Sequence, residues 1–579
     1  MTGPIRTQQN PAAGCQPKID RRDDTMVSLD GFWDFGFVGE LDEYPGAERV
    51  KFTTRLPVPG CFDVEPQFKL RRGVGVYRTR VVIGGPVTLI FEGLGPKAEI
   101  LWDGKTVGRC DLPFSREEFR FDAGGEKEHT LLIAVDNRAD DSPDSLFPGF
   151  YDFYRHGGIY RPVSICRTPD WEIAHLKVIP RDIVKGIAGI TVELAGNFPA
   201  EAAVSFSFDG KAPVRERLSG GRGTFALAVP DFRLWSPEDP HLHRLTVTVG
   251  EYVRKTTFGM RIVEAKQGRL FVNGKPVKLL GYNRHDCHPD FGYAVPEALV
   301  KRDLELIKAQ GCNFIRGCHY PQSETVLDWC DRLGIFFWEE SIGWGNTEPY
   351  LTSGLFRARQ REQTRRMARK SVNHPCVILQ GFMNELRSNL ESGRTLIREL
   401  AAILKEEDGS RPVTFACDMP FEDISMPEVD VLSFNLYPGW YWNPLMSDVQ
   451  QFDPEGLKKT LRKYEVFLER PEFKEKPFII SEIGAAALPG WHGDVRWTEE
   501  YQADLTCAVF RYVLDAPRCT GVAIWMFCDT RSVNDYRIHD RPRGFNNKGL
   551  LDEYRRPKTA WNAVAGLLKQ YPQSCDNPN

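Results

Sequence analysis

The chain contains 579 residues, enough for several domains with large apolar cores. It carries 75 Lys and Arg residues against 79 Asp and Glu residues, a net charge of −4 at pH 7. Its basic residues are scattered, which argues against nucleic acid or an anionic membrane surface as a partner.

The sequence shows no sign of a membrane segment or a disulfide framework. No apolar stretch approaches the ~20 residues of a membrane-spanning helix, and residues 1–13 lack the apolar segment of a signal peptide. The fourteen cysteines form no CxxC pair, so we expect reduced core residues. These features together predict a cytoplasmic protein.

The N-terminal part of the chain has the pattern of a β-sandwich. Residues 1–25 are polar and contain proline and glycine, which is typical of a flexible segment. Residues 26–168 show short alternating runs separated by turn residues, for example at 75–81 and 98–105, with no helical period. This pattern predicts a sandwich of the jelly-roll type.

One segment of this predicted sandwich, 149–162, is rich in aromatic residues and contains Asp152, two arginines and a histidine. A carboxylate accepts hydrogen bonds from hydroxyl groups and aromatic rings cover apolar sugar faces, so the segment suits a polyhydroxylated ligand. A turn buried between two domains is the alternative, and the sequence leaves both open.

Residues 169–265 contain another series of short strands. Their length, about a hundred residues, is typical of an immunoglobulin-like β-sandwich. No cysteine lies between Arg167 and Asp286, so the disulfide of antibody domains is excluded. We expect this domain to act as a structural spacer.

From residue 266 to 579 the pattern changes to alternating strands and helices. The predicted strands lie at 277–281, 313–317, 335–340, 377–385, 413–418, 429–435, 477–484 and 521–529. The predicted helices lie at 295–310, 323–332, 355–371, 392–407, 455–469, 498–514 and 557–570. Eight strands alternating with helices predict a (β/α)8 TIM barrel, which we expect to be the catalytic domain.

In a TIM barrel, functional side chains follow the C-terminal ends of the strands. Predicted strand four ends in Asn384 and Glu385, and predicted strand seven contains Glu482. Two carboxyl groups at one barrel mouth are what glycoside hydrolysis requires, one as acid/base and one as nucleophile. Taken alone, Glu385 is equally well explained as a cap of the next helix.

Five motifs carry a family resemblance. They are Asn-Arg-His-Asp at 283–286, Arg-Gly-Cys-His-Tyr-Pro at 316–321, His-Pro-Cys-Val at 374–377, Asn-Glu at 384–385 and Ile-Ser-Glu-Ile-Gly at 480–484. Together they resemble glycoside hydrolase family 2, over residues 28–568. The resemblance implies a retaining exo-β-glycosidase with Glu482 as nucleophile and Glu385 as general acid/base. An amide beside the acid suits a hydrogen bond to the sugar 2-hydroxyl, which gives Asn384 a role in binding.

The same resemblance bears on partners and cofactors. It implies a small-molecule or oligosaccharide β-glycoside as substrate, no cofactor and a homo-oligomer. We expect no metal ion. The alternative is a metal held by Glu385 with His285, Asp286 or His288.

Two segments indicate which sugar the enzyme would accept. The segment containing Asn435, Tyr437 and Tyr441 resembles one in β-glucuronidases, where an Asn and a Tyr six residues on reach the substrate. Asn546 and Lys548 resemble the Asn-x-Lys motif of those enzymes, which binds the uronate carboxylate. An ammonium with an amide donor is a physically suitable clamp. By the same resemblance, Asp152 reaches a sugar hydroxyl across the domain interface.

The resulting prediction is hydrolysis of β-D-glucuronides by double displacement. β-Galacturonide is a serious rival because the same clamp would hold its carboxylate, and a β-galactoside is a further alternative. The alternative that is not an enzyme is a carbohydrate-binding protein on an inactive barrel.

Several other residues receive supporting roles. A cation near two carboxyl groups keeps one of them ionised, which suits Arg316 beside the nucleophile. By resemblance, Tyr437 donates to the nucleophile. Trp525 is expected to form the floor under the sugar ring. His285 is expected to contact the sugar and His319 to support the site from behind. Arg541 and Arg543 are further candidates for the carboxylate clamp.

Overall fold

The computed structural model describes residues 6–7, 26–441, 451–532 and 541–571, which form two β-sandwiches followed by a barrel. Of the predicted flexible segment 1–25, only Arg6–Thr7 falls within these ranges, and it pairs with Val81 and Val82 of the first sandwich. The rest of that prediction lies outside the described residues.

The first sandwich packs a seven-stranded antiparallel sheet against a four-stranded one. Alternation places every second side chain in the core, as with Leu131, Ile133 and Val135, which are fully buried. Its strands after Arg6–Thr7 are Val27–Ser28, Gly31–Gly39, Thr54–Val58, Gly60–Cys61, Gly73–Ile83, Pro86–Phe91, Lys97–Trp102, Lys105–Cys110, Glu117–Asp122, Lys127–Asp136, Gly158–Ile159 and Val163–Arg167.

The second sandwich packs a three-stranded sheet against a four-stranded one and has its own apolar core. Its strands are Trp171–Asp182, Ile187–Gly196, Glu201–Phe208, Val214–Ser219, Arg222–Ala228, His243–Val249 and Tyr252–Phe258. A small sheet of Val263–Lys266, Arg269–Val272 and Lys275–Pro276 then leads into the barrel.

The C-terminal domain is a TIM barrel, as predicted. Its parallel strands, numbered one to eight below, are Leu279–Arg284, Phe314–Gly317, Phe336–Trp344, Val377–Asn384, Val413–Thr414 with Ala416–Cys417, Leu432–Asn435, Phe478–Ile483 and Cys519–Ile524. Strand five is broken at Phe415. Its first piece pairs with strand four and its second with strand six, while strand eight pairs with strand one, so the barrel closes.

The helices surround this barrel. They are Glu297–Gln310, Glu324–Leu333, Glu348–Thr352, Gly354–Ser371, Glu391–Glu407, Pro454–Leu468, Glu499–Asp515 and Thr559–Leu568. The first two end at Gly311 and Gly334, whose φ angles of 102° and 67° allow the left-handed turn that terminates a helix. None of the helices in the described ranges is long and apolar enough to cross a membrane.

Two details of the barrel differ from prediction. Strand eight ends at Ile524, because the chain leaves the ladder before Trp525 instead of continuing to Asp529. The short helix Glu348–Thr352 was not predicted, since five residues are too few to show a helical period. The twelve cysteines within the described ranges are all buried and free of disulfides, as expected.

The first sandwich docks on the mouth of the barrel. Phe114 stacks on Tyr320, which follows strand two, with ring centroids 4.0 Å apart and planes at 12°. Arg161 Nη2 donates to the carbonyl oxygen of Pro321 at 2.8 Å, and Tyr151 Oη donates to Asn346 Oδ1 at 3.1 Å. The aromatic segment 149–162 is therefore buried between the domains, and it lies where the barrel strands end.

Replacing Phe114 with Ala tests this docking. The change removes a buried ring from the interface, so we expect a loss of about 3–5 kcal/mol in stability and a lower midpoint of thermal unfolding. Phe32→Ala is the control, because Phe32 is 44% exposed and its loss should shift the midpoint little. Equal midpoints for the two variants would contradict the docking described here.

Candidate active site

The barrel mouth collects polar side chains from the ends of several strands. Glu482 lies on strand seven, and Glu385 follows strand four directly. Asn435 ends strand six and is the register partner of Glu482, so these residues lie at the same level of the barrel. The two carboxyl groups predicted to work together therefore share one mouth.

Both oxygens of the Glu482 carboxyl group are held by donors. Arg316 Nη1 donates to Oε1 at 2.8 Å, and Tyr437 Oη donates to Oε2 at 2.7 Å. Glu482 is buried, with 3% of its surface exposed. Its orientation is fixed, and Arg316 provides its counter-charge.

Arg316 is fully buried and every part of its guanidinium is used. Nε and Nη2 each donate to Glu340 at 3.0 Å, so this pair is bidentate. The remaining donors reach Asn283 Oδ1 at 3.0 Å and Asn384 Oδ1 at 2.9 Å. Burial lowers the pKa of Arg316, but the charges of Glu340 and Glu482 outweigh it and raise the pKa above its ordinary value. Arg316 is therefore a permanent cation.

His319 lies behind Glu482 as a neutral ring. Its Nδ1 is 2.8 Å from Glu340 Oε1, and its Nε2 is 3.7 Å from Glu482 Oε1. Burial, followed by the charge of Arg316, lowers the pKa of His319 to about 3. The ring also stacks on Trp525, with centroids 5.1 Å apart and planes at 13°.

His285 and Trp525 form the next part of this wall. Their rings meet edge to face, with centroids 5.6 Å apart. His285 Nδ1 lies 3.3 Å from Tyr320 Oη, and burial lowers the pKa of His285 well below its ordinary value. The structure therefore brings the two predicted ligand-contacting rings together with His319.

Glu385 has a different environment from Glu482. Asn435 Nδ2 donates to Glu385 Oε1 at 2.7 Å and to Asn384 Oδ1 at 2.9 Å, and Ser481 Oγ fixes that amide by donating to Asn435 Oδ1 at 2.7 Å. Burial, and then the charges of Glu482 and Asp418, raise the pKa of Glu385 well above its ordinary value. A carboxyl group whose surroundings favour its protonated form, in the same mouth as a second one that is paired with a cation, has the arrangement of an acid/base and a nucleophile.

The backbone at Glu385 is strained. Its φ angle is +53°, and that of Met383 is +41°, values that residues other than glycine rarely adopt. Such conformations persist where surrounding contacts over-determine them and are common at active sites. Because strand four ends here in an irregular turn rather than in a helix, the alternative of a helix cap has no support at Glu385.

A second cluster lies beside the first. Lys548 Nζ donates to Tyr441 Oη at 2.5 Å, and Arg541 Nη2 donates to the same oxygen at 3.3 Å. Arg541 also forms a bidentate ion pair with Asp152, which crosses from the barrel to the first sandwich. Asn546 Nδ2 lies 3.4 Å from Asp152 Oδ2. The structure thus brings together Asp152, Tyr441, Asn546 and Lys548, which were predicted to contact the sugar, with Arg541, one of the two further candidates for the carboxylate clamp.

Tyr437 connects the two clusters. It donates to Glu482, and Lys548 Nζ lies 5.9 Å from the centroid of its ring. Lys548 and Arg541 are almost completely buried, with 1% and 4% of their surfaces exposed. Lys548 therefore lies one aromatic ring away from the carboxylate of Glu482, and Arg541 meets it on Tyr441 Oη.

Of the two further candidates for the carboxylate clamp, the structure places only Arg541 in this cluster, and one buried residue of the site has no predicted role. Arg541 had no secure place, because its approach to Asp152 depends on how two domains dock. Arg543 is not part of the cluster, since its side chain reaches Glu553 at 2.9 Å and Asn547 at 3.1 Å. Glu340 is only the last residue of the predicted strand 335–340, although strand periodicity separates it from Glu339 and places it on the same face as Arg316.

The alternative metal site is not assembled among the described residues. Within these, the groups that bring three ligating atoms close together are His285 with Cys318 and His319, and Asp331 with His374 and Cys376. Glu385 belongs to neither group. Asp286 instead accepts a hydrogen bond from Arg284 at 3.1 Å.

Family profiles and known proteins match most of this chain. The family profile "Glycosyl hydrolases family 2, TIM barrel domain" matches residues 263–571, and "Glycosyl hydrolases family 2" matches residues 173–261. Beta-glucuronidase of Canis lupus familiaris is 30% identical, covering 96% of this chain and 91% of that protein. Beta-glucuronidase of Rattus norvegicus is 31% identical, covering 92% of this chain and 89% of that protein.

Solved structures give a similar result. A GH2 beta-galacturonidase from Eisenbergiella tayi bound to galacturonate superposes with a TM-score of 0.85 at 29% identity, covering 95% of this chain and 98% of that chain. A Bifidobacterium dentium beta-glucuronidase complexed with coumarin-3-O-glucuronide has a TM-score of 0.84 at 25% identity, covering 95% and 98% of the two chains.

Replacing Arg316 with Met tests its structural role. The variant leaves Glu340 and Glu482 buried without their cation, so we expect a loss of about 3–5 kcal/mol in the free energy of unfolding. Arg78→Met is the control, because its ion pair with Asp34 is partly exposed and should contribute about 0–1 kcal/mol. Thermal and denaturant unfolding measure both. A stability loss for Arg316→Met no larger than for the control would contradict the role of Arg316.

Proposed function

This chain belongs to glycoside hydrolase family 2, and we propose that it releases β-D-glucuronic acid from the non-reducing end of glucuronides. The observation that carries the proposal is the meeting of Lys548 and Arg541 on Tyr441 Oη, beside the Tyr437–Glu482 pair. Two cations next to a nucleophilic carboxylate suit a sugar that carries its own carboxylate. The names of the Canis lupus familiaris and Rattus norvegicus relatives support the same substrate.

The reaction proceeds by double displacement. Glu482 Oε2 or Oε1 attacks the anomeric carbon while Glu385 gives its proton to the departing glycosidic oxygen. The bond between the sugar and Glu482 is then broken by water, and Glu385, now ionised, takes the proton of that water. Arg316 and Tyr437 align the attacking carboxylate, and Asn435 holds Glu385 in place.

The distal cluster provides recognition of the sugar carboxylate. A carboxylate accepts bidentate or charge-assisted hydrogen bonds from Lys548 and Arg541 more strongly than a neutral hydroxymethyl group does. Asn546 Oδ1 is buried and has no hydrogen-bond partner among the described residues, so it suits a hydroxyl group of the ligand. Asp152 lies in this cluster and has the acceptor oxygens that a sugar hydroxyl needs.

A β-galacturonide is the second candidate. The Eisenbergiella tayi beta-galacturonidase, whose structure contains galacturonate, supports it. Both uronides present the same carboxylate and differ only in the configuration at C4. The candidates are therefore separated by the contacts of that hydroxyl group, whereas a neutral galactoside lacks the carboxylate altogether.

Substrate preference tests the proposal. We expect p-nitrophenyl β-D-glucuronide to be cleaved with a higher kcat/KM than the β-galacturonide or the β-galactoside. Lys548→Met should lower kcat/KM on the glucuronide roughly 10- to 100-fold, since a hydrogen bond to a charged group contributes about 1.5–3 kcal/mol. Its effect on the galactoside should be small.

Lys266→Met is the matched control, because this exposed lysine pairs with Glu264 at the surface. This substitution should leave kcat/KM on both substrates unchanged. Higher activity on the galacturonide would establish the second candidate instead. An equal loss on charged and neutral substrates in Lys548→Met would contradict recognition of the carboxylate by Lys548.

Replacing Glu385 with Gln tests the acid/base role. Nitrophenolate leaves with little protonation, so the first step survives better than the second, which needs a base. We expect kcat to fall about 10²–10⁴-fold. Azide needs no base and should restore turnover while producing the β-glucuronyl azide. Glu482→Gln should give no such product. Failure of azide to change the rate or the product in Glu385→Gln would contradict the assignment.

The pH profile tests the protonation state of Glu385. With an alkyl β-D-glucuronide, whose leaving group is poor, the first step needs this proton, so kcat/KM should fall as the pH rises through the pKa of Glu385. Burial and the charges of Glu482 and Asp418 raise that pKa, so the falling limb should lie well above the ~4.3 of an ordinary glutamate. The limb should disappear in Glu385→Gln with the nitrophenyl substrate. If the falling limb persists unchanged in Glu385→Gln, it reports the titration of another group.

A further inference from the structure

Lys558 is a buried lysine whose ammonium uses all three of its protons. It donates to Asp529 Oδ1 at 2.8 Å, to the carbonyl oxygen of Ala487 at 2.8 Å and to that of Asn547 at 3.0 Å. Only 2% of its surface is exposed. An ammonium carries three N–H groups, so this site is saturated.

Each acceptor lies on a different segment of the barrel mouth. Ala487 follows strand seven, five residues after Glu482, and Asp529 lies beyond strand eight. Asn547 lies between Asn546 and Lys548 in sequence. One buried ammonium therefore joins the segment after the nucleophile to the segment that carries the carboxylate-binding residues.

The backbone around Lys548 is held from its other sides as well. Gly549 N donates to Asp529 Oδ1 at 2.9 Å, the same oxygen that Lys558 uses. Gln502 Nε2 lies 3.3 Å from the carbonyl oxygen of Lys548 and 3.1 Å from that of Gly549. A Cβ on Gly549 would lie 2.2 Å from Asp529 N, so only glycine permits this approach.

We propose that Lys558 is a positioning residue that fixes Asn546 and Lys548 relative to Glu482. It touches no substrate, and it acts by holding the carbonyl oxygens of Asn547 and Ala487 at one distance from each other. Lys548 Nζ is carried by the backbone that this contact fixes, and Tyr441 receives its hydrogen bond. The inference rests on the proposed recognition of a uronate by Lys548.

The test compares an acidic and a neutral inhibitor. Glucaro-1,4-lactone carries a carboxylate and glucono-1,5-lactone does not, so the ratio of their inhibition constants reports recognition of the carboxylate. The variant is Lys558→Met combined with Asp529→Asn, which avoids leaving a buried carboxylate without its cation. We expect this double variant to reduce the preference for the acidic lactone by about tenfold or more.

Lys278→Met is the matched control. Lys278 also donates to three carbonyl oxygens, those of Val513, Ala516 and Cys519, but it lies before strand one, at the opposite end of the barrel. Its loss should lower the midpoint of thermal unfolding without changing the inhibitor ratio. A purely structural role for Lys558 would give the same result as this control.

Combining Lys558→Met and Asp529→Asn with Lys548→Met separates the possible failures. If Lys558 acts through Lys548, the triple variant should have the same inhibitor ratio as Lys548→Met alone. The effects of coupled residues do not add, so nothing remains for Lys558 to position once Lys548 is gone. The inference would be overturned if the losses of preference for the acidic lactone were additive, or if the double variant weakened the binding of both inhibitors equally. An unchanged ratio in Lys548→Met alone would instead overturn the proposed recognition of the carboxylate.

Discussion

The guanidinium of Arg316 is the interaction on which the barrel mouth depends. Burying a cation costs several kcal/mol unless it is paired and hydrogen-bonded. Hydrogen bonds from Arg316 to Glu340, Glu482, Asn283 and Asn384 offset that cost. These partners come from strands one, three, four and seven. The same cation that closes this part of the barrel therefore supplies the counter-charge of Glu482. Among the described residues no cation forms an ion pair with Glu385, and burial, followed by the charge of Glu482, raises its pKa.

The distal end of the site exists only where two domains meet. Asp152 belongs to the first sandwich, and its ion pair with Arg541 spans 389 positions of the chain. Phe114 and Arg161 fix the sandwich on the barrel, so they act on the site without lying in it. On the proposed function, the barrel strands supply the hydrolytic residues, while the adjoining domain and the segment after strand eight supply the residues that select the sugar.

Much of the fold could be predicted because its signals are local. The barrel strands are apolar runs buried on both faces, and Glu385 and Glu482 stand out at their ends. The break at Phe415 and the helix Glu348–Thr352 are too short to leave a periodic signal. Arg541 and Arg543 are indistinguishable by composition, and only the docking of the sandwich brings one of them to Asp152. Lys558 looks like an ordinary residue before a helix, because its partners are carbonyl oxygens that no sequence pattern reveals.

Trapping the glycosyl-enzyme tests the central claim most directly. A fluorine at C2 of the sugar slows both steps by opposing the positive charge of the transition state, and a fluoride leaving group allows the first step to proceed, so the intermediate accumulates. Incubation with 2-deoxy-2-fluoro-β-D-glucuronyl fluoride, followed by mass spectrometry of peptides, should find the sugar on Glu482. A label on any other residue, or no label on an enzyme that hydrolyses glucuronides with inversion, would contradict the account.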